Sequence, residues 1–241
     1  MSYTQGKHTR VVVALAAAAS LAAATACGTA EAANPHTDVT VTFVRHGESY
    51  GNTSQVINTS IPGPVLTERG HQQAKETAAQ LGDRDIDAIY ASVMPRAQQT
   101  AQYLADELAM DVRVLPGVEE IQFGLDGLTH DQAGDTLFSV LDSWLSGDVS
   151  VCFEAPGECG TEFQTRFNDA LAAIHKTRNQ NSVVYAHSAS VMIGTLLNDP
   201  GHDLDIWGAD TLRNTGIVTL EGSPRNGWKI VEWNGEPFPP A

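Results

Sequence analysis

The chain has 241 residues, 42% of them hydrophobic, which is enough apolar material for one large domain with a real core and excludes a disordered protein. Lys and Arg total 14 against 29 Asp and Glu, a net charge of −15. That balance argues against nucleic acid or an anionic membrane surface as a partner, and the acidity reads as solubility rather than as a cation site.

The first 26 residues are a different kind of sequence. Lys7 and Arg10 precede an alanine-dominated apolar run from Val11 to Ala26, which is the plan of a signal peptide and implies export. The run is shorter than the ~20 residues that cross a bilayer. Removing the segment takes away two basic and no acidic residues, so the net charge moves from −15 to −17. Ala24-Thr25-Ala26-Cys27 fits two cleavage chemistries. Ala-x-Ala is an ordinary signal-peptidase site and would give a secreted protein. A small residue followed by cysteine is similar to a bacterial lipobox, with Ala24 where Leu is usual, and would make Cys27 the lipidated first residue of a cell-surface lipoprotein. Lipidation at Cys27 is the preferred reading and the one membrane contact expected. Residues 27–37, small and polar, serve as a tether, and the folded domain is expected over 38–241.

Val41-Thr42-Phe43-Val44 reads as a buried strand, and it runs into the polar turn Arg45-His46-Gly47-Glu48-Ser49. The carboxyl end of such a strand is where open α/β folds place ligands. A histidine held there beside an arginine can present a neutral ring nitrogen to an anionic phosphorus centre. Residues 51–64, rich in Asn, Thr, Ser, Gly and Pro, read as a loop at a pocket mouth. From Thr67 to Leu81 the residues Ala74, Thr77, Ala78 and Leu81 share one helical face, and Gly82 stops the helix.

A second strand, 86–92, also ends in a turn that opens a helix. Ala97, Ala101, Leu104, Ala105 and Leu108 form its buried stripe, and Arg96 stands at its start. A short third strand over 112–115 ends at Pro116-Gly117. Residues 125–180 read as a helical insertion, with capping-box spacing at Thr129-x-x-Gln132 and Thr161-x-x-Gln164. Phe163, Phe167, Ala170, Leu171 and Ile174 in it are spaced as a core stripe. Cys152 and Cys159 lie within the same region, across Ala155-Pro156-Gly157, a turn that could bring them into bridging range in an oxidising compartment. A reactive thiol or a metal site is the sharper alternative, but two sulfurs with no His nearby make poor zinc ligands. A fourth strand, 182–186, ends at His187, and Ser188-Ala189-Ser190 opens a helix through Leu197. The segments 217–220 and 228–233 read as a hairpin at the sheet edge.

Arg45, His46, Arg96 and His187 thus share one structural position, the junction between a strand's carboxyl end and the next helix. In a doubly wound sheet these junctions converge on one crevice. Two guanidiniums there offer forked donors to a phosphoryl group, and they depress the pKa of a neighbouring histidine.

On these residues the chain resembles the histidine phosphatase superfamily, in the branch of the cofactor-dependent phosphoglycerate mutases and their phosphatase relatives. The motifs that carry the resemblance are Arg45-His46-Gly47-Glu48-x-x-x-Asn52, Leu66-Thr67-x-x-Gly70-x-x-Gln73-Ala74, Ser92-x-x-x-Arg96-Ala97-x-Gln99-Thr100, Glu120-x-x-x-Gly124 and Pro156-Gly157-Glu158, with the apolar strand before His187. The fold it implies is α/β and doubly wound, a mostly parallel central sheet with flanking helices and a helical insertion over the active-site edge. By that similarity His46 becomes the phosphohistidine, while Arg45, Arg96 and His187 hold the phosphoryl group with Asn52 at the pocket edge. Glu120 then protonates the leaving alkoxide and afterwards activates water, a job for which an enclosed carboxyl is suited. Glu119 is its bland neighbour, set aside on the spacing to Gly124.

The function expected is hydrolysis of a small phosphomonoester with no metal and no cofactor, since the arginines bring the positive charge. A primed phosphoglycerate mutase and a non-catalytic phosphate-binding module are the alternatives, and export disfavours the mutase. The loop 51–64 and the segment 125–160, the expected wall around the leaving group, contain no Lys or Arg. A polyphosphorylated substrate is therefore disfavoured. One departure stands out, Ser188 where the family commonly has glycine, and neither Ser188 nor Ser190 joins the catalytic set. His36, His71, His130, His175 and His202 read as surface or structural.

Overall fold

The computed structural model describes Met1 and residues 37–239. Residues 2–26 of the signal segment, the lipidation at Cys27, His36 and all of the tether before Thr37 lie outside the described residues. In chain order the elements are β1 Val39–Arg45, α1 Tyr50–Thr53, α2 Glu68–Leu81, β2 Ala88–Ala91, α3 Pro95–Leu108, β3 Val112–Val114, α4 His130–Leu145, α5 Gly160–Lys176, β4 Asn181–Ala186, α6 Ser188–Asn198, β5 Ile217–Ser223, β6 Gly227–Trp233 and β7 Glu236–Pro237. Among the described residues no helix is long and apolar enough to cross a membrane.

The strands form one mixed sheet in the order β3-β2-β4-β1-β5-β6-β7. Pairing is parallel from β3 to β1, and antiparallel from β1 through β5 and β6 to β7. The predicted hairpin is present as β5 and β6. It lies against β1, and the two-residue β7, which the sequence did not suggest, forms the outer edge. The central strands β2 and β4 are buried at all but one of their ten positions because helices cover both of their faces. Val41 and Phe43 face the side of α5 and α6, where Phe43 stacks on Phe167 at 5.4 Å between ring centroids, while Val44 faces Ala97, Ala101 and Leu104 of α3. The stripe Phe163, Phe167, Ala170, Leu171 and Ile174 is buried as predicted, and each phenylalanine in it contributes roughly 1.5–3 kcal/mol by leaving water.

Helix boundaries follow their caps. Thr67 accepts the Gly70 N–H at the start of α2, and Pro95 occupies the first turn of α3, where no donor is needed. The first turn of the predicted 51–64 loop is helical, because Asn52 Oδ1 accepts both the N–H and the hydroxyl of Ser49. The Thr129–Gln132 capping box begins α4.

The second predicted capping box is corrected. α5 is capped by Cys159 and Glu162, whose Oε2 accepts the Cys159 N–H at 2.9 Å, and Thr161 and Gln164 lie inside the helix. The cause is the preceding turn. Gly160 and Thr161 donate their N–H groups to the carbonyls of Val151 and Val149, and Cys159 is joined to Cys152 by a disulfide, so the helix is anchored two residues earlier. Replacing both cysteines with serine is expected to lower the unfolding free energy by about 2.5 kcal/mol, the loop-closure value for so short a loop. The change is read as a lower urea midpoint at unchanged m.

Candidate active site

β1 delivers Arg45 as its last residue and His46 immediately beyond it. The His46 N–H still donates to the Ala186 carbonyl of β4 at 3.0 Å, so the turn leaves the sheet only after the imidazole is placed. Gly47 and Gly70 then pack backbone to backbone. A Cβ on Gly47 would collide with the Gly70 carbonyl, and one on Gly70 with the Glu48 carbonyl, so the first turn of α2 supports the His46 turn from beneath only if both are glycine. Thr100 of α3 accepts the Gly47 N–H at 3.0 Å while its hydroxyl donates to the Arg96 carbonyl, tying the two junctions together.

The tautomer of His46 follows from its partners. Nδ1 lies 2.7 Å from the Gly47 carbonyl, which can only accept, and Nε2 receives the Nε–H of Arg96 at 3.1 Å. The proton is therefore on Nδ1 and the lone pair on Nε2. Arg96 is the second residue of α3, and His187 caps α6 with its ring centroid 5.2 Å from that of His46. His187 Nε2 lies 2.9 Å from Ser92 Oγ at the end of β2. Three side-chain nitrogens around this point are buried with no partner in the protein, the donors Arg45 Nε and Arg96 Nη1 and the ring nitrogen His187 Nδ1. Arg45 is held by a bond from Nη1 to the Leu212 carbonyl at 2.6 Å. Orphaned buried donors beside a lone pair suit an anion with several oxygens.

Burial drives the pKa of His46 well below its usual value, and the charges of Arg96 and Arg45 push it further, against a smaller opposing effect of the Gly47 carbonyl. His187 is lowered in the same way, by burial first and then by Arg96. Both rings are thus neutral at physiological pH.

Glu120 reaches the site from the loop between β3 and α4. Its carboxylate accepts the N–H groups of Ser190 at 2.8 Å, Ala189 at 3.2 Å and Ile121 at 3.0 Å, so it docks on the first turn of α6, where the helix presents free donors. Its backbone is clamped from the far side by Arg166. That guanidinium pairs with Glu158 at 2.7 Å and donates to the carbonyls of Gly117 and Glu119, while Glu158 accepts the Gln122 N–H. The neighbouring Glu119 is taken up by the Gly117 N–H and by Arg166, away from the pocket.

Arg45, His46, Asn52, Arg96 and Glu120 line one cavity of about 540 Å³, and His187 is buried behind it. A second depression of about 570 Å³ opens at the amino ends of the parallel strands. There Arg84 is the one arginine of the lining, it is paired with Glu232 at 2.8 Å, and no histidine lies beside it, so the cluster of histidine and free arginine donors belongs to the first. Among the described residues no group of three or more His, Cys, Asp or Glu side chains is placed to hold a metal ion.

Asn52 sits at the cavity edge as expected, but its Oδ1 is engaged by Ser49 and by Asn214 Nδ2. Ser188 also lines the cavity, with its hydroxyl directed to the Leu212 carbonyl. Asn214 escaped the sequence reading. It donates to the His46 carbonyl at 3.1 Å from a stretch without periodicity or motif, and nothing in the sequence signalled it. Ser92 and Thr100 lay within a recognised motif, and their partners emerge only from the fold. Of the other described histidines, His71, His175 and His202 bond to Tyr103, Thr37 and Asp199, and His130 lines the cavity.

The profile of the histidine phosphatase superfamily (branch 1) matches residues 41–236. The PE-PGRS family protein PE_PGRS11 of Mycobacterium tuberculosis is 35% identical over 84% of this chain, which spans only 38% of that protein's length. A probable phosphoglycerate mutase GpmB of Enterobacter sp. (strain 638) is 35% identical over 81% of this chain and 92% of its own. Among solved structures, a phosphoserine phosphatase from Entamoeba histolytica in complex with 3-phosphoglyceric acid is 27% identical, with a TM-score of 0.65 over 81% of this chain and 96% of that one.

The depressed histidines make stability pH-dependent. Below about pH 6.5 the unfolded chain takes up protons that buried His46 and His187 refuse, so their contribution is complete above that pH and falls as the pH drops, by at most about 1.4 kcal/mol per pH unit for each ring. Urea midpoints at pH 7.5 and 5.5 are expected to show this loss in the parent and a smaller one in His46→Asn.

Proposed function

Because this chain belongs to the histidine phosphatase superfamily, we propose that it is a phosphomonoester hydrolase. His46 takes the phosphoryl group, Arg45, Arg96 and His187 hold it, Asn52 borders it, and Glu120 acts as acid and then as base. The observation that carries this reading is the set of buried, partnerless donors beside the lone pair of His46 Nε2. Nε2 forms the P–N bond as the ester P–O bond breaks, and the proton of Glu120 goes to the leaving alkoxide. Water then gives a proton to the Glu120 carboxylate and its oxygen to phosphorus. The P–N electron pair returns to Nε2, and inorganic phosphate leaves. Positive charge at the transferring oxygens comes from the two arginines.

A cofactor-dependent phosphoglycerate mutase shares these steps up to the phosphohistidine and differs in its acceptor, a second hydroxyl in place of water. Hydrolysis is favoured by export, which belongs to the same proposal. Residues 1–26 act as the leader and Cys27 as the lipid-bearing residue of the mature chain, and the bisphosphorylated primer of a mutase is a cytosolic compound.

Phosphate release from a panel of phosphomonoesters is expected to survive chelator and to vanish in His46→Ala. Glu120→Gln is expected to slow alkyl esters by about 10²-fold or more, and p-nitrophenyl phosphate far less, because its leaving group departs without a proton. Conversion of 3-phosphoglycerate only after priming with bisphosphoglycerate, without release from any ester, would establish the mutase instead.

A further inference from the structure

We propose that the leaving group is an uncharged alcohol or phenol with an extended apolar portion, so that the substrates are alkyl or aryl phosphomonoesters. This inference rests on the hydrolase reading and concerns the part of the cavity beyond the phosphoryl group. The cavity wall includes two arginines and no lysine, and both arginines, Arg45 and Arg96, belong to the phosphoryl-binding floor. Besides Glu120, the one further carboxylate of the wall, Glu48, adds negative charge and no cation. A second phosphate, or the carboxylate of 3-phosphoglycerate or phosphoserine, would leave water to meet no counter-charge, a costly burial.

Besides polar groups such as Asn58, Thr59, His130 and Thr211, the wall offers an apolar face. Val56, Ile57, Phe123, Leu137, Met192 and Trp207 line it beyond His46. The rim continues the same chemistry. Of the exposed large hydrophobic residues, Tyr50, Ile61, Val65, Leu128 and Phe138 all lie on the segments that build this mouth. Tyr50 adjoins the lining residues Ser49 and Gly51 and bonds to the Val65 carbonyl, Leu128 accepts the Ile57 N–H, and Phe138 packs on Trp207 at 5.0 Å between ring centroids. Exposed apolar residues scattered singly mean little, but clustered around a reactive cavity they mark what it takes in.

The test is a series of primary-alcohol esters whose leaving groups differ little in basicity: ethyl, butyl, hexyl and octyl phosphate below its micellar concentration, with glycerol 3-phosphate and 3-phosphoglycerate beside them. With the full chain, kcat/KM is expected to rise about fourfold for each methylene that leaves water, until the cavity is filled. 3-Phosphoglycerate is expected to fall about tenfold or more below hexyl phosphate. Trp207→Ala should flatten the series, and Leu137→Lys, which adds the missing cation, should raise 3-phosphoglycerate relative to hexyl phosphate. A flat series, or 3-phosphoglycerate as the best substrate, with turnover still dependent on His46, would overturn the inference and leave the hydrolase standing. If no ester turns over, the hydrolase reading fails, and calorimetry decides the inference alone. Hexylphosphonate binding more tightly than ethylphosphonate upholds it, and equal affinities sink it.

Discussion

The site depends on one imidazole staying neutral with its lone pair on a chosen nitrogen. Gly47 takes the proton side of His46 through its carbonyl, and Arg96 faces the lone-pair side. The geometry holds only if the turn carrying His46 is rigid, and that rigidity comes from neighbours of very different kinds. Two glycines, Gly47 and Gly70, let backbone meet backbone, Thr100 bonds across to the turn, and Asn214 holds the His46 carbonyl from the opposite side. Burial first, and then the charges of these arginines, keep the ring neutral, and the same arginines have donors to spare for an anion. In the mechanism proposed above, one set of charges therefore both prepares the nucleophile and supplies the affinity.

Glu120 is supported in another way. Its carboxylate docks on the free N–H groups of α6, while its backbone is gripped by Arg166 and Glu158. Glu158 lies one residue before Cys159, so the disulfide-closed turn is built into the support of Glu120, the proposed acid–base group. The Pro156-Gly157-Glu158 motif thus has a concrete task. Gly157 packs so closely against Phe153 and the Phe123 carbonyl that a side chain there would force the Glu120–Gly124 strip outward.

Most of the scaffold was legible in the sequence because both sheet faces are covered, and the resulting apolar runs and helical stripes are strong local signals. Arg45, His46, Arg96 and His187 could be grouped because each follows a strand. What stayed hidden depends on distant partners. The stretch around Asn214 has no periodicity, and its role appears only when β5 returns beside β1. The start of α5 was misread because Thr161 and Gln164 have capping spacing, yet a disulfide and two hydrogen bonds to the preceding turn outweigh that local preference. β7 has two residues and is too short to leave a pattern.

The strand order carries a consequence for how such a chain comes into being. β1 is the first strand to be synthesised, but its two neighbours in the sheet are β4, which begins at Asn181, and β5, which ends at Ser223. Until the chain has been made through Ser223, an apolar strand with both edges open lacks its partners, and it is a template for pairing with other chains. A nascent molecule therefore gains little by collapsing early, since its central strand is satisfied only once β4 and β5 exist. Holding the chain extended until its last strands are available, as a chaperone or a translocation channel does, suits this topology better than folding as it emerges from the ribosome.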